Sequence, residues 1–222
     1  MTTAGMASGA YRYRLNGEPA AVEETWRREP IGQGCWRVTS RRRAADVAID
    51  VEAQEAHGVV TAFTAEWRHE DGGSLAVDYQ LQGSVLSVVR RESARAPLHT
   101  EMTPGAAPLL LFPLMRIFVG PVIDGLLRAG GTGIVILPEI AVPPDSAKFF
   151  EPRCSDRRAA VVAEEFLEDE AGAARLCRRC RYLGDQYDEA ASFWLGADGL
   201  LERYQWRQQG QGAWQVDLIR DG

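Results

Sequence analysis

Arg116 stands as a lone cation inside an apolar run, Leu109-Leu-Leu-Phe-Pro-Leu-Met-Arg-Ile-Phe-Val-Gly-Pro-Val-Ile-Asp-Gly-Leu-Leu127. Burying a guanidinium without a partner is costly. Arg116 therefore needs Asp124, Glu139 or the carboxylate of a bound acid. Glu139 follows a second apolar stretch, Thr132-Gly-Ile-Val-Ile-Leu-Pro138, and burial there would raise its pKa. The acidic stretch Asp185-Gln-Tyr187-Asp188-Glu189 could place a general acid or base at the mouth of a cavity, or serve only as a solvated turn. Glu139, Asp185 and Asp188 are the candidate catalytic groups.

Other chemistry finds little support. Cys177-Arg-Arg-Cys180 is the only Cys-x-x-Cys. It sits in an alternating strand pattern that points the two thiols to opposite faces, whereas a redox pair opens a helix. Cys35 and Cys154 do not complete a zinc spacing. His57, His69 and His99 lack a ligand partner at helical or strand spacing. Gly130-Gly-Thr-Gly133 follows a helical pattern rather than a strand, so it is a helix stop and not a dinucleotide loop. The expectation is no metal and no cofactor.

Strands must position these groups. Tyr11, Tyr13 and Leu15 alternate with Arg12 and Arg14, and Val47, Ile49 and Val51 with Ala48 and Asp50. Val59 to Trp67 and Leu75 to Leu81 repeat the period of two, and it returns from Val161 to the end. This is the pattern of strands with one buried and one wet face. Asn16-Gly17, His57-Gly58, Asp71-Gly72-Gly73, Gln82-Gly83 and Asp198-Gly199 are the turns between them. One arrangement occurs twice, Trp26 … Gly32-Gln-Gly34 … Trp36 and Trp206 … Gly210-Gln-Gly212 … Trp214. Matching hairpins at the two ends predict a sheet that closes or nearly closes on itself.

The fold class predicted is mainly β: an antiparallel meander closed or nearly closed into a barrel, with one apolar helix over about residues 106–129. In that helix Asp124 and Arg128 fall at i,i+4. Residues 1–10 read as a disordered lead-in and 11–222 as one barrel-like domain, with β-rich halves at 11–103 and 132–220 joined by the helix. As a membrane span the helix is short, and Arg116 and Asp124 would each cost about 2.5–3.5 kcal/mol at the bilayer centre. It reads as a core or lid helix, without stable membrane insertion.

The chain has 222 residues and a net charge of −6. That balance argues against nucleic acid, which needs clustered positive charge. The first ten residues carry no basic start and no apolar run, so no secretory signal is read. The expected location is cytoplasmic, with the cysteines as thiols.

The stretch Phe193-Trp-Leu-Gly-Ala-Asp-Gly-Leu-Leu-Glu-Arg-Tyr204 and the apolar run 109–127 resemble a late hairpin and lid helix of lipid-handling barrels, the lipocalins and the lipoprotein-carrier fold. The resemblance is architectural. A cytoplasmic barrel of this kind is also similar to small accessory proteins of polyketide and enediyne clusters. It implies binding of a fatty acid or polyene-like intermediate.

The ligand-lining residues expected are Phe63, Trp67, Tyr79, Leu110, Leu114, Phe118 and Phe193, with Arg116 nearest a carboxylate. Two alternatives remain open. One is a cofactor-free cyclase or isomerase acting through Asp185, Asp188 or Glu139. The other is a structural barrel packed solid. Open meander edges leave room for a homodimer.

Overall fold

The computed structural model describes residues 5–92, 96–105, 108–168, 172–185, 187–208, 210 and 212–221. Eight strands form its first half: β1 (Ala7–Leu15), β2 (Glu18–Gly32), β3 (Cys35–Ala44), β4 (Val47–Ala56), β5 (Val59–His69), β6 (Ser74–Gln82), β7 (Val85–Glu92) and β8 (Leu98–Met102). The second half holds β9 (Leu109–Leu111), a 3-10 turn (Arg116–Phe118), α1 (Val119–Arg128), β10 (Thr132–Pro138), β11 (Pro152–Glu168), β12 (Ala174–Leu183), β13 (Ser192–Leu195), β14 (Leu201–Gln208) and β15 (Gly212–Arg220).

These strands make one 15-stranded sheet in the order β8-β7-β6-β5-β4-β3-β2-β1-β15-β14-β13-β12-β11-β10-β9. Every pairing is antiparallel except β9 with β10. Tight turns explain the meander: Asn16 and Gly17, and His57 and Gly58, all take positive φ, as two-residue hairpin loops require. The two Trp-bearing hairpins are β2–β3 and β14–β15. They flank β1 at the middle of the sheet rather than meeting at a seam. Their tryptophans differ in register, Trp206 opposite Trp214 but Trp26 opposite Ser40.

The sheet curls until β9 lies against β5 without pairing to it, so the barrel is nearly closed. Leu110 opposes Val135 on one face of β9–β10, and Leu111 opposes Ile136 on the other. All four are buried, so this edge of the sheet is enclosed by the rest. Helix α1 fills the interior with Val119, Val122, Ile123 and Leu126. It meets the wall without clearance at Gly120, where a Cβ would stand 2.0 Å from the carbonyl oxygen of Gly199.

Three expectations are corrected. The apolar run is not one helix over 106–129. Residues 106 and 107 lie outside the described residues, 109–111 are strand, and α1 begins only at Val119. Phe112 donates its N–H to Ile136 O at 2.9 Å, Pro113 has none to give, and Leu114 takes φ +66°. The chain is thus held extended and then turned before it can coil. The lead-in is shorter than 1–10. Residues 1–4 lie outside the described residues, but Gly9 and Ala10 already pair with Arg220 and Ile219 in the sheet. Finally, Asp124 and Arg128 do not pair. Asp124 accepts from Arg178 Nη2 at 2.8 Å and Arg128 donates to Gly58 O at 3.1 Å.

Candidate functional site

A buried polar cluster is built around Glu24, near the centre of β2. Period-two geometry turns Glu24 inward with Trp26, and it is 1% exposed. Tyr13 Oη donates to its Oε2 at 2.6 Å, and the backbone N–H of Arg116 donates to Oε1 at 2.6 Å. Arg42 is its cross-strand partner on β3. The positive φ of Leu114 aims the following 3-10 turn at this carboxylate.

The Arg116 guanidinium meets aromatic groups. Its Nη1 donates to Tyr187 Oη at 3.1 Å. Its Cζ lies 5.2 Å from the Tyr204 ring centre and 5.9 Å from that of Tyr13. Its Nε is buried without a hydrogen-bond acceptor. Such ring contacts attract a cation, but they do not neutralise it.

Two further arginines reach the same space from β11. Arg153 and Arg157 are four residues apart on a strand, so they share a face. Arg157 is 4% exposed. It lies 5.1 Å from the Tyr182 ring and 5.7 Å from that of Tyr187, and donates to Gly184 O. Asp185, in the loop after β12, accepts from Arg153 at 2.8 and 2.5 Å and from Arg157 at 3.1 Å. Arg153 Nε also stands 3.3 Å from Glu139 Oε2.

These groups border a cleft of about 190 Å³. Arg42, Arg116, Arg153 and Arg157 face it, against the carboxylates of Glu139 and Asp185. Phe112, Leu114, Val119 and Leu137 supply its apolar side. A wider trough of about 560 Å³ lies over Arg27, Arg41, Asp50, Glu66 and Arg68 on the polar face. It is open to water, and its charges pair across strands, Arg41 and Arg68 both with Asp50. The smaller cleft is the candidate site.

Protonation follows from these contacts. Hydrogen bonding to Arg153 holds the Asp185 carboxyl below its ordinary value against the opposing effect of burial, so it stays ionised and is a weak base. Burial raises Tyr182 and Tyr204 well above the usual phenol range, so both remain protonated at neutral pH. The Asp185 shift has a stability signature. A carboxyl lowered in the folded state stabilises it above the unfolded pKa, near 3.8, and that contribution disappears as pH falls through the lower folded value. Asp185→Asn should therefore be less stable than the parent at pH 6, and the gap should close as pH falls below the ordinary carboxylate value of 3.8. Urea midpoints measured across that range check it, and a gap that widens on acidification refutes the assignment.

The sequence-predicted residues separate into two groups. Leu114, Arg116, Glu139 and Asp185 come together at the cleft. Asp188 does not line it; it is exposed and its Oδ1 accepts from Ala190 N at 2.9 Å. Phe63 and Tyr79 stack deeper inside, with ring centres 4.6 Å apart, and Trp67 packs on Phe149. Leu110 sits under α1 at Gly125. Phe193 stacks on Tyr204 and meets Tyr182 and Tyr187 edge-on. Phe118 and Phe193 have no exposed surface, so no water-sized void adjoins them.

Glu24, Arg42, Arg153, Arg157, Tyr182 and Tyr187 were not read from sequence. Each lies in an ordinary strand or loop context, and only closure of the sheet assembles them. Among the described residues no three His, Cys, Asp or Glu side chains converge as a metal would need. All four cysteines are free, and burial pushes the Cys180 thiol up to about 11, which makes it a poor nucleophile.

No family model matches the chain, and no curated protein matches it in sequence. The chain is similar in shape to a solved structure of a beta-barrel-like protein of the domain of unknown function DUF1849 from Brucella abortus. The alignment covers 98% of each chain with a TM-score of 0.53 and 14% identity. At that identity the likeness shows the fold alone. The chain shares a β-barrel-like architecture across nearly its whole length. No helix among the described residues is long and apolar enough to cross a membrane.

Proposed function

We propose that the protein binds an amphiphilic small molecule, a fatty acid or polyene-like intermediate, with its anionic group in the arginine cleft and its chain in the barrel interior. One observation carries the reading. Four guanidiniums face two carboxylates at a cleft backed by apolar side chains, in a protein whose net charge is −6. Arg116 brings a buried charge whose guanidinium donates to the Tyr187 hydroxyl. A carboxylate placed there would accept charge-assisted hydrogen bonds in a partly desolvated setting.

Binding is favoured over catalysis because the best-placed carboxylate, Asp185, is held ionised by Arg153, and the tyrosines hold their protons. The free thiols support the cytoplasmic expectation, and an accessory role in secondary metabolism fits a binder of this kind.

The test is calorimetric titration with laurate and with 1-dodecanol. Arg116→Gln should weaken laurate binding about 10- to 100-fold, the equivalent of the 1.5–3 kcal/mol typical of hydrogen bonds to charged groups. Dodecanol affinity should hardly change. Equal laurate affinity in the variant and the parent, with both folded, would sink the proposal.

A further inference from the structure

The cleft is too small for the ligand class just proposed. Pockets that enclose drug-sized molecules run to roughly 300–1,000 Å³, whereas this one offers about 190 Å³. The protein's own segment 139–151 runs from the cleft into the buried interior. Glu139, Ile140 and Ala141, at its start, form one wall of the cleft. Phe149 and Phe150, at its end, are buried in the interior. Phe149 packs edge-on against Trp67 with centres 5.8 Å apart, and the Phe150 carbonyl accepts from Tyr79 Oη at 3.0 Å.

The segment is pinned at few points. Its two ends are zipped by Glu139 N to Glu151 O at 2.8 Å and Phe150 N to Glu139 O at 2.7 Å. Arg90 holds the carbonyls of Ala147 and Phe149 from β7. The Glu139 side chain accepts from Ala141 N at 2.7 Å and faces Arg153 at 3.3 Å. Phe150 meanwhile takes φ +65°, a conformation that bulky side chains rarely adopt and that surrounding contacts must enforce.

We infer that segment 139–151 is a ligand-released strap: an anionic head group entering the cleft displaces Glu139 from Arg153 and lets Phe149–Phe150 lift off Trp67 and Tyr79. This inference rests on the proposed amphiphile binding. It makes the head group the key and the acyl chain the occupant of the vacated space. Differential affinity for the open form is what drives such a shift. Neither a head group alone nor a tail alone opens the strap and fills it.

Hydrogen exchange of the full chain, read by mass spectrometry over 139–151, tests this beside calorimetry. Saturating laurate should speed exchange at Phe149 to Glu151 tenfold or more, acetate should speed it by a smaller factor, and 1-dodecanol should leave it near the ligand-free rate. Glu139→Gln should raise exchange there without ligand and tighten laurate binding several-fold. Laurate that binds while exchange stays unchanged or slows overturns the strap and leaves the binding proposal standing. A Glu139→Gln variant that exchanges like the parent also overturns it. No laurate binding in either protein overturns both readings.

Discussion

Replacing Glu24 with alanine should destabilise the fold by about 3–5 kcal/mol, the range for removing one partner of a buried charged network. Glu24 is 1% exposed and accepts hydrogen bonds from both Tyr13 and the Arg116 backbone. Without it, the Tyr13 hydroxyl and the Arg116 N–H lose their acceptors, and the buried Arg116 guanidinium loses the attraction of that carboxylate. Guanidinium denaturation gives the size of the loss. A double variant, Glu24→Ala with Arg116→Met, separates the two contributions. If charge is the cause, the second change recovers part of the loss. If the double variant is as unstable as the sum of the singles, the electrostatic account is wrong and Glu24 matters only for packing.

Gly120→Ala carries the other large effect, and two terms of opposite sign decide it. Alanine is better than glycine by about 1 kcal/mol in a helix interior, and by less in the first turn, where Gly120 sits. Here the added methyl would meet the Gly199 carbonyl oxygen at 2.0 Å and the Leu201 nitrogen at 3.1 Å. Both are backbone atoms of the β13–β14 turn and cannot rotate away. Overpacking costs about 1–3 kcal/mol and sometimes more, and the upper end applies when the obstacle is main chain. The net expectation is a loss of about 2 kcal/mol, or a Tm lower by roughly 4–8 °C for a chain of this size. Gly125→Ala is the control. Its Cβ would meet the Leu110 side-chain tip at 2.8 Å, which can swing aside. A melt in which Gly120→Ala is the more stable of the two would refute the close contact.

Much of the architecture was legible because a strand with one wet face writes its period into the chain. Tyr11, Tyr13, Val51, Phe63 and Val77 were read as inward and are buried. Turns at Asn16-Gly17 and His57-Gly58 were equally plain, since few residues take positive φ in succession. The apolar run misled for a physical reason. Leu109 to Leu111 are enclosed on both faces of their ladder, and a strand buried on both sides loses its alternation and looks like a buried helix.

Arg116 was visible as a cation out of place. Its neighbours were not. Arg153 and Arg157 alternate with other polar residues on β11, as any surface strand would, and Tyr187 sits in a loop. Their convergence depends on where the curled sheet brings β11 and β12 against the 3-10 turn, and no local spacing encodes that.

The position of β1 and β15 side by side in mid-sheet has a consequence for how the molecule comes together. Arg14 and Asp217, joined at 3.1 Å, are 203 residues apart in the chain, while both outer margins of the sheet are made mid-chain. On a ribosome, β1 would emerge ahead of the other described strands and wait unpaired on one side until β15 is released. Two meanders can form early from local turns, but they stay separate halves until this last, most distant contact is made. Closing so long a loop is slow, and until then the waiting rim of β1 is exposed to strands of other chains.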